Sequence, residues 1–152
     1  MSKSYTLRES VKFVGNLCNF TDFITILIKK RLPFQDVYWR DEFSEKTAQL
    51  LIKRINQRVY GRAYLKGNKT LGTAISYEVG SLTNRPHFHL AIECPSNFTK
   101  QGFLKCITKV VSSMEWLVDK IDIKDYKNIG CIKYLCKGNS DKVILSGCSR
   151  SK

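Results

Sequence analysis

AISYEVGSLTNRPHFHLAIEC, residues 74–94, consists of two apolar, strand-like runs separated by a polar loop of about six residues. In AISYE and in HFHLAIE, β-branched and aromatic residues interleave with small or polar ones, the composition of strands half buried in a sheet. Gly80, Asn84 and Pro86 punctuate the segment between them, and a loop of this length returns the chain antiparallel to itself. The chain's two histidines, His87 and His89, stand two apart in the second run. Strand side chains alternate faces, so both imidazoles leave one face while Phe88 and Leu90 leave the other.

The pattern extends outward from this pair. Upstream, residues 62–66 read as another short strand, followed by a Gly67-Asn68 turn and a strand over 71–79, which makes a meander. Residues 22–29, DFITILIK, read as a first, central strand that ends in the basic turn Lys30-Arg31-Leu32-Pro33. Between them, Phe43, Leu50, Leu51, Ile55 and Val59 recur at a helical period over 41–60, with the Ser44 hydroxyl as a cap for the Thr47 amide. Downstream, Phe103, Ile107, Val110, Val111, Met114 and Leu117 share a helical face. Val118, Ile121 and Ile123 then alternate as in a closing strand. A short helix over 127–137, ended by Gly138, carries Tyr134, and beyond it only Val143-Ile144-Leu145 gives a structural signal. The expected fold is α+β: a central antiparallel sheet with helices packed on it, in one domain over 1–152 with its core at about 20–138.

Composition narrows the partner. The 152 residues hold 26 Lys+Arg against 13 Asp+Glu, a formal charge of +13, which favours a phosphate-rich partner over a merely solvated basic surface or a membrane surface. The first dozen residues are charged and polar with no long apolar stretch behind them. We therefore expect neither signal peptide nor membrane span, and a cytoplasmic protein. The six cysteines form no CxxC pair and are expected to be reduced; Cys94, Cys106, Cys131 and Cys136 sit among apolar neighbours.

Two constellations carry chemistry. An HxH pair on a strand is half of a metal site, or else two surface histidines brought together by chance. Glu78, at the end of the preceding strand, can stand beside both in an antiparallel pair. Two imidazoles and one carboxylate leave open positions on a divalent ion, as catalytic sites require. Glu93 competes for the ligand role but lies about 13 Å from His89 along the strand. In the second constellation, Tyr134 and Lys137 are three apart on a helix and can address one phosphate, the ammonium stabilising a phenolate nucleophile. The competing reading is a core tyrosine beside a snorkelling lysine. Lys53, Arg54 and Arg58, on the basic end of the 41–60 helix, are candidate DNA contacts or equally a solvated face.

Glu78, the loop, and then Arg85-Pro86-His87-Phe88-His89 resemble the motif of the HUH endonucleases, in particular the rolling-circle replication initiators of plasmids and small single-stranded DNA phages. Tyr134 and Lys137 match that family's Tyr-x-x-Lys motif on a late helix, and FITILIKK resembles its first, hydrophobic motif in place and character. The resemblance runs from about residue 22 to residue 137. It implies a ferredoxin-like (RRM-like) sheet, the HUH endonuclease fold, whose face carries a divalent metal, Mn2+ or Mg2+, and is crossed by single-stranded DNA, with Arg85 as a DNA contact. It also implies nicking and joining of single-stranded DNA at an origin hairpin through a 5′-phosphotyrosine on Tyr134, leaving a 3′-hydroxyl for a polymerase, with a host helicase as a further partner. Positions 130 and 138 are glycines, so no second tyrosine stands one helical turn from Tyr134 and a single-tyrosine enzyme is expected. The alternatives are a transposase or relaxase of the same superfamily, or a non-catalytic single-stranded nucleic-acid-binding module stacking bases on Tyr64, Tyr77 and Phe88.

Overall fold

A computed structural model describes residues 7–127, 129–136 and 143–152. Its centre is a four-stranded antiparallel sheet built from β1 (Asp22–Ile28), β4 (Thr73–Val79), β5 (Pro86–Ile92) and β6 (Leu117–Asp125), in the order β4-β5-β1-β6. A short hairpin, β2 (Arg31–Leu32) and β3 (Val37–Tyr38), follows β1 where the sequence suggested only a basic turn. Helix α2 (Ser44–Tyr60) links β1 to β4, and α4 (Lys100–Ser113) links β5 to β6. The expected α+β class and central antiparallel sheet are therefore present. Helix α1 (Leu7–Gly15), which the sequence reading did not anticipate, precedes the sheet, and α5 (Ile129–Leu135) follows it.

Alternation along the strands sorts the residues into two cores. Ile24, Ile26 and Ile28 of β1 and Phe88, Leu90 and Ile92 of β5 face α2 and α4. There they meet Ala48, Leu51, Ile55, Phe103, Ile107 and Val111, all fully buried. Removing each such aliphatic or aromatic side chain from water contributes about 1.5–3 kcal/mol, which makes this the main core. On the other face Phe23, Ala74 and Ala91 pack against Val14 of α1, Ile132 and Leu135 of α5, and Val143. A one-residue slip of β5 would exchange its isoleucine and leucine face for its histidine face, so the register is fixed by burial.

Helix boundaries follow local chemistry. The Thr99 hydroxyl accepts the Gly102 N–H at 3.1 Å and starts α4. Ser44 makes no such cap. The chain enters α2 through a 3-10 turn at Asp41–Phe43, which has already given Ser44 helical dihedrals, whereas a capping residue needs an extended backbone. Gly61, at φ +52, ends α2 in a conformation that side chains disfavour. The strand expected over 62–66 is instead a helical turn, α3 (Arg62–Leu65). Ala, Leu and Arg favour helix there, and the outer edge of β4 is already occupied. Val143 bridges Ser76, Ser149 exchanges both backbone hydrogen bonds with Thr73 at 2.9 and 3.0 Å, and Gly147 lies too close to Ile75 to admit a Cβ. The end of the chain thereby covers a sheet edge that would otherwise invite pairing with another chain.

Tyr77 and Phe88 lie on the helix-covered face. Phe88 is fully buried, and the Tyr77 hydroxyl accepts from Trp39 Nε1 at 2.9 Å and donates to Asp41. Phe88 therefore cannot stack on a base and drops out of the base-stacking platform considered above, whereas Tyr77 and Tyr64 are only partly buried. Among the described residues, no helix is long and apolar enough to cross a membrane.

Candidate metal centre

The six-residue turn between β4 and β5 sets their register, and that register places Glu78 directly opposite His87 and Ser76 opposite His89. Glu78, His87 and His89 all leave the face away from α2 and α4, as strand parity requires. The two Nε2 atoms are 3.1 Å apart, and one Glu78 carboxylate oxygen lies 3.3 Å from His89 Nε2 and 3.6 Å from His87 Nε2. Donors held about 2.1 Å from one ion are separated by about 3.0 Å at right angles and about 3.4 Å at tetrahedral angles. The triangle thus has the size of one face of a coordination sphere, and the cluster could hold a metal ion. Glu93, the competing carboxylate, is engaged elsewhere, accepting the Asn19 N–H at 2.7 Å.

Both rings are oriented from behind. His87 Nδ1 lies 3.0 Å from the carbonyl oxygen of Arg85, which can only accept, so Nδ1 carries the proton and Nε2 turns its lone pair toward the cluster. The same carbonyl accepts the Gly80 N–H at 3.1 Å, which ties ring orientation to the loop's fold. His89 Nδ1 lies 3.2 Å from the hydroxyl of Thr25, its partner across β1 and β5. With Nδ1–H donated to that oxygen, His89 Nε2 is likewise the free ligand atom. Burial first, and then the neighbouring His87, push His89 down to about 4 against the pull of Glu78, so the imidazole is neutral at pH 7, the form a metal binds.

Tyr134 comes to this centre from α5. Ile132 and Leu135 are buried against the sheet, while Tyr134 itself is 48 % exposed. Its ring lies edge-on to His89, with centroids 5.1 Å apart, and to Phe23 at 6.3 Å. A partly exposed phenol beside a candidate ligand histidine is accessible from solvent in a way that a core tyrosine is not. Tyr126, by contrast, is half-buried and packs on Phe20 in the second core.

The remaining sequence candidates divide. Lys137 lies outside the described residues, as does the Gly138 helix stop. Arg85 is exposed at the end of the β4–β5 loop, immediately before the ligands. Lys53, Arg54 and Arg58 belong to α2, on the far side of the sheet from the metal cluster, and the fold does not bring them to it. Two contributors went unread. Thr25, a lone polar residue inside the apolar run DFITILI, orients His89, and its position on the Phe23 face was the available signal. Lys124 of β6 pairs in register with Phe23, ion-pairs with Asp122 at 3.7 Å, and depresses the protonation of His89, so its charge is felt at the centre.

Glu78→Ala is expected to weaken Mn2+ affinity about 100-fold, and Thr25→Val about 10-fold, as for a ligand and the group that orients one. Isothermal titration calorimetry measures both. A larger loss in Glu93→Ala than in Glu78→Ala would mean that the wrong carboxylate had been chosen. An unchanged affinity in Thr25→Val would remove the hydroxyl from the site.

No protein-family model, curated protein or solved structure matches the chain.

Proposed function

We propose that the protein is a metal-dependent, single-tyrosine endonuclease of the HUH type, which nicks and rejoins single-stranded DNA to initiate rolling-circle replication. The observation that carries this reading is the juxtaposition of Tyr134 with a Glu78-His87-His89 triangle on one sheet face. Support also comes from the connectivity. Strand, helix, strand, strand, helix, strand, in the spatial order β4-β5-β1-β6, is what a ferredoxin-like sheet would require. The net charge of +13 suits a DNA partner.

In this mechanism Glu78, His87 and His89 would hold a divalent ion, Mn2+ or Mg2+, which would supply Lewis-acid polarisation of the scissile phosphate. The Tyr134 phenol gives its proton to water and attacks phosphorus in line. The P–O3′ bond breaks, the leaving 3′-oxygen takes a proton, and the 5′-phosphate remains esterified to Tyr134. The reverse reaction reseals the strand, because the phosphotyrosine retains the energy of the bond it replaced. The His87 and His89 rings are fixed through the Arg85 carbonyl and the Thr25 hydroxyl, so the ligands need no rearrangement as charge develops. The exposed Arg85 stands where the DNA backbone would approach the ligands, and Lys124 adds a second cation on the same face. The 3′-hydroxyl left behind would prime a polymerase, and a helicase of the host would open the duplex.

Incubation with labelled single-stranded DNA and Mn2+, followed by denaturing electrophoresis, tests the reading. A covalent protein–DNA band that chelator abolishes is the expected result. Its absence on a broad panel of single strands and hairpins would overturn it.

A further inference from the structure

Helices α2 and α4 pack side by side over the main core, and the seam between them is not flush. One depression of about 360 Å³ is lined by Arg54, Gln57, Arg58, Lys109, Val110 and Ser113. A second, of about 280 Å³, shares Arg54 and Ser113 with it and continues the groove toward Trp116. The first depression contains three cations and no carboxylate. Among the described residues, none of the three cations has an ion-pair partner. Like charges gathered in one concavity repel each other, and the repulsion is relieved when an anion enters. The groove opens on the side of the sheet opposite Glu78, His87 and His89, so a strand at the metal face does not reach it.

We propose that this α2–α4 groove is a second, non-catalytic phosphate-binding track, which holds the sugar-phosphate backbone of DNA flanking the strand that is cut. The inference rests on the nucleic-acid reading above and extends it to a separate surface. Arg54 and Arg58 stand one helical turn apart, about 6 Å along the axis of α2, so their guanidinium groups address successive positions along an extended polyanion. With Lys109 facing them from α4, the Gln57 amide completes a set of donors typical of backbone contacts, while the Ser113 hydroxyl already donates to the Val110 carbonyl at 2.7 Å. A protein partner would call for an apolar, aromatic centre; the first depression, to which the track is confined, offers only Val110, whereas Leu50, Met114, Trp116 and the carboxylate of Glu115 line the second. Contacts of this kind carry no base specificity. They lengthen the footprint and supply affinity that falls with salt.

The test compares wild type with a triple variant, Arg54→Gln, Arg58→Gln and Lys109→Gln. A charge-matched control carries Arg62→Gln, Lys66→Gln and Lys69→Gln, exposed positions away from the groove. Fluorescence anisotropy across a salt series measures binding to a hairpin with a long single-stranded arm and to a short single strand, and thermal melting verifies folding. The groove variant is expected to lose about 10-fold or more in affinity for the long substrate, with the slope of log K against log salt reduced by about two to three. Its affinity for the short strand and for Mn2+ is unchanged, and the control keeps the wild-type slope. A groove variant that matches the control on the long substrate, or that loses equally on both substrates, overturns the track. Should wild type bind no DNA at all, the functional reading fails with it, whereas normal nicking by a protein indifferent to these substitutions sinks the track alone.

Discussion

Tyr134→Phe is expected to abolish the covalent protein–DNA adduct while folding, Mn2+ binding and DNA affinity survive. The substitution keeps the ring that packs edge-on to His89 and Phe23, so little packing energy is lost. It removes the one oxygen that can form the ester, and with no substitute nucleophile at that place the product falls to background. Tyr126→Phe is the matched control. That ring lies against Phe20 in the second core, where burial pushes its hydroxyl above the usual phenol range, and its loss should leave adduct formation intact. Denaturing electrophoresis and peptide mapping of the attached nucleotide read both variants. An adduct that persists in Tyr134→Phe and maps to Tyr126 would show that α5 presents the wrong tyrosine.

Removing both imidazoles should have an effect of the same size by a different route. In the double variant His87→Ala, His89→Ala only Glu78 remains of the triangle, and one carboxylate in water holds Mn2+ or Mg2+ weakly. Cleavage should vanish and the calorimetric signal for Mn2+ should disappear. Nonspecific DNA affinity, which comes from lysines and arginines spread over the surface, should persist. A double variant that still cuts when metal is supplied would place the chemistry elsewhere.

How much of this was legible in the sequence depends on the range of the interaction concerned. The metal triangle was readable because it is built by two short-range rules: strand parity, which puts His87 and His89 on one face, and a six-residue turn, which sets Glu78 opposite His87. Most of the α2 and α4 cores was readable from apolar period, although Leu50 is exposed and Leu117 belongs to β6. Residues 62–66 misled because a short apolar and polar alternation is compatible with either strand or helix. The decision came from residues 143–149, far along the chain, which take the β4 edge. Ser44 misled because capping depends on dihedrals that the preceding 3-10 turn sets. Thr25 and Lys124 escaped because their roles arise from pairing of β1 with β5 and with β6, contacts between residues 64 and about 100 positions apart that no local pattern encodes. The same limit explains Lys53, Arg54 and Arg58, whose basic character was plain but whose side of the sheet was not.

If Tyr134 carries the DNA end as proposed, the anchoring of α5 through Ile132 and Leu135 bears on how the strand would be resealed. A DNA end esterified to a tyrosine on a loose tail would explore a wide volume, and its return to a free 3′-hydroxyl would be slow. On a helix clamped to the sheet it would be held near its point of cleavage. If the far side of the protein also grips the flanking backbone, the second end is tethered as well, and rejoining becomes intramolecular, at an effective concentration on the order of millimolar. Loosening that clamp, by trimming Leu135 to Ala, would then slow strand joining more than strand cutting.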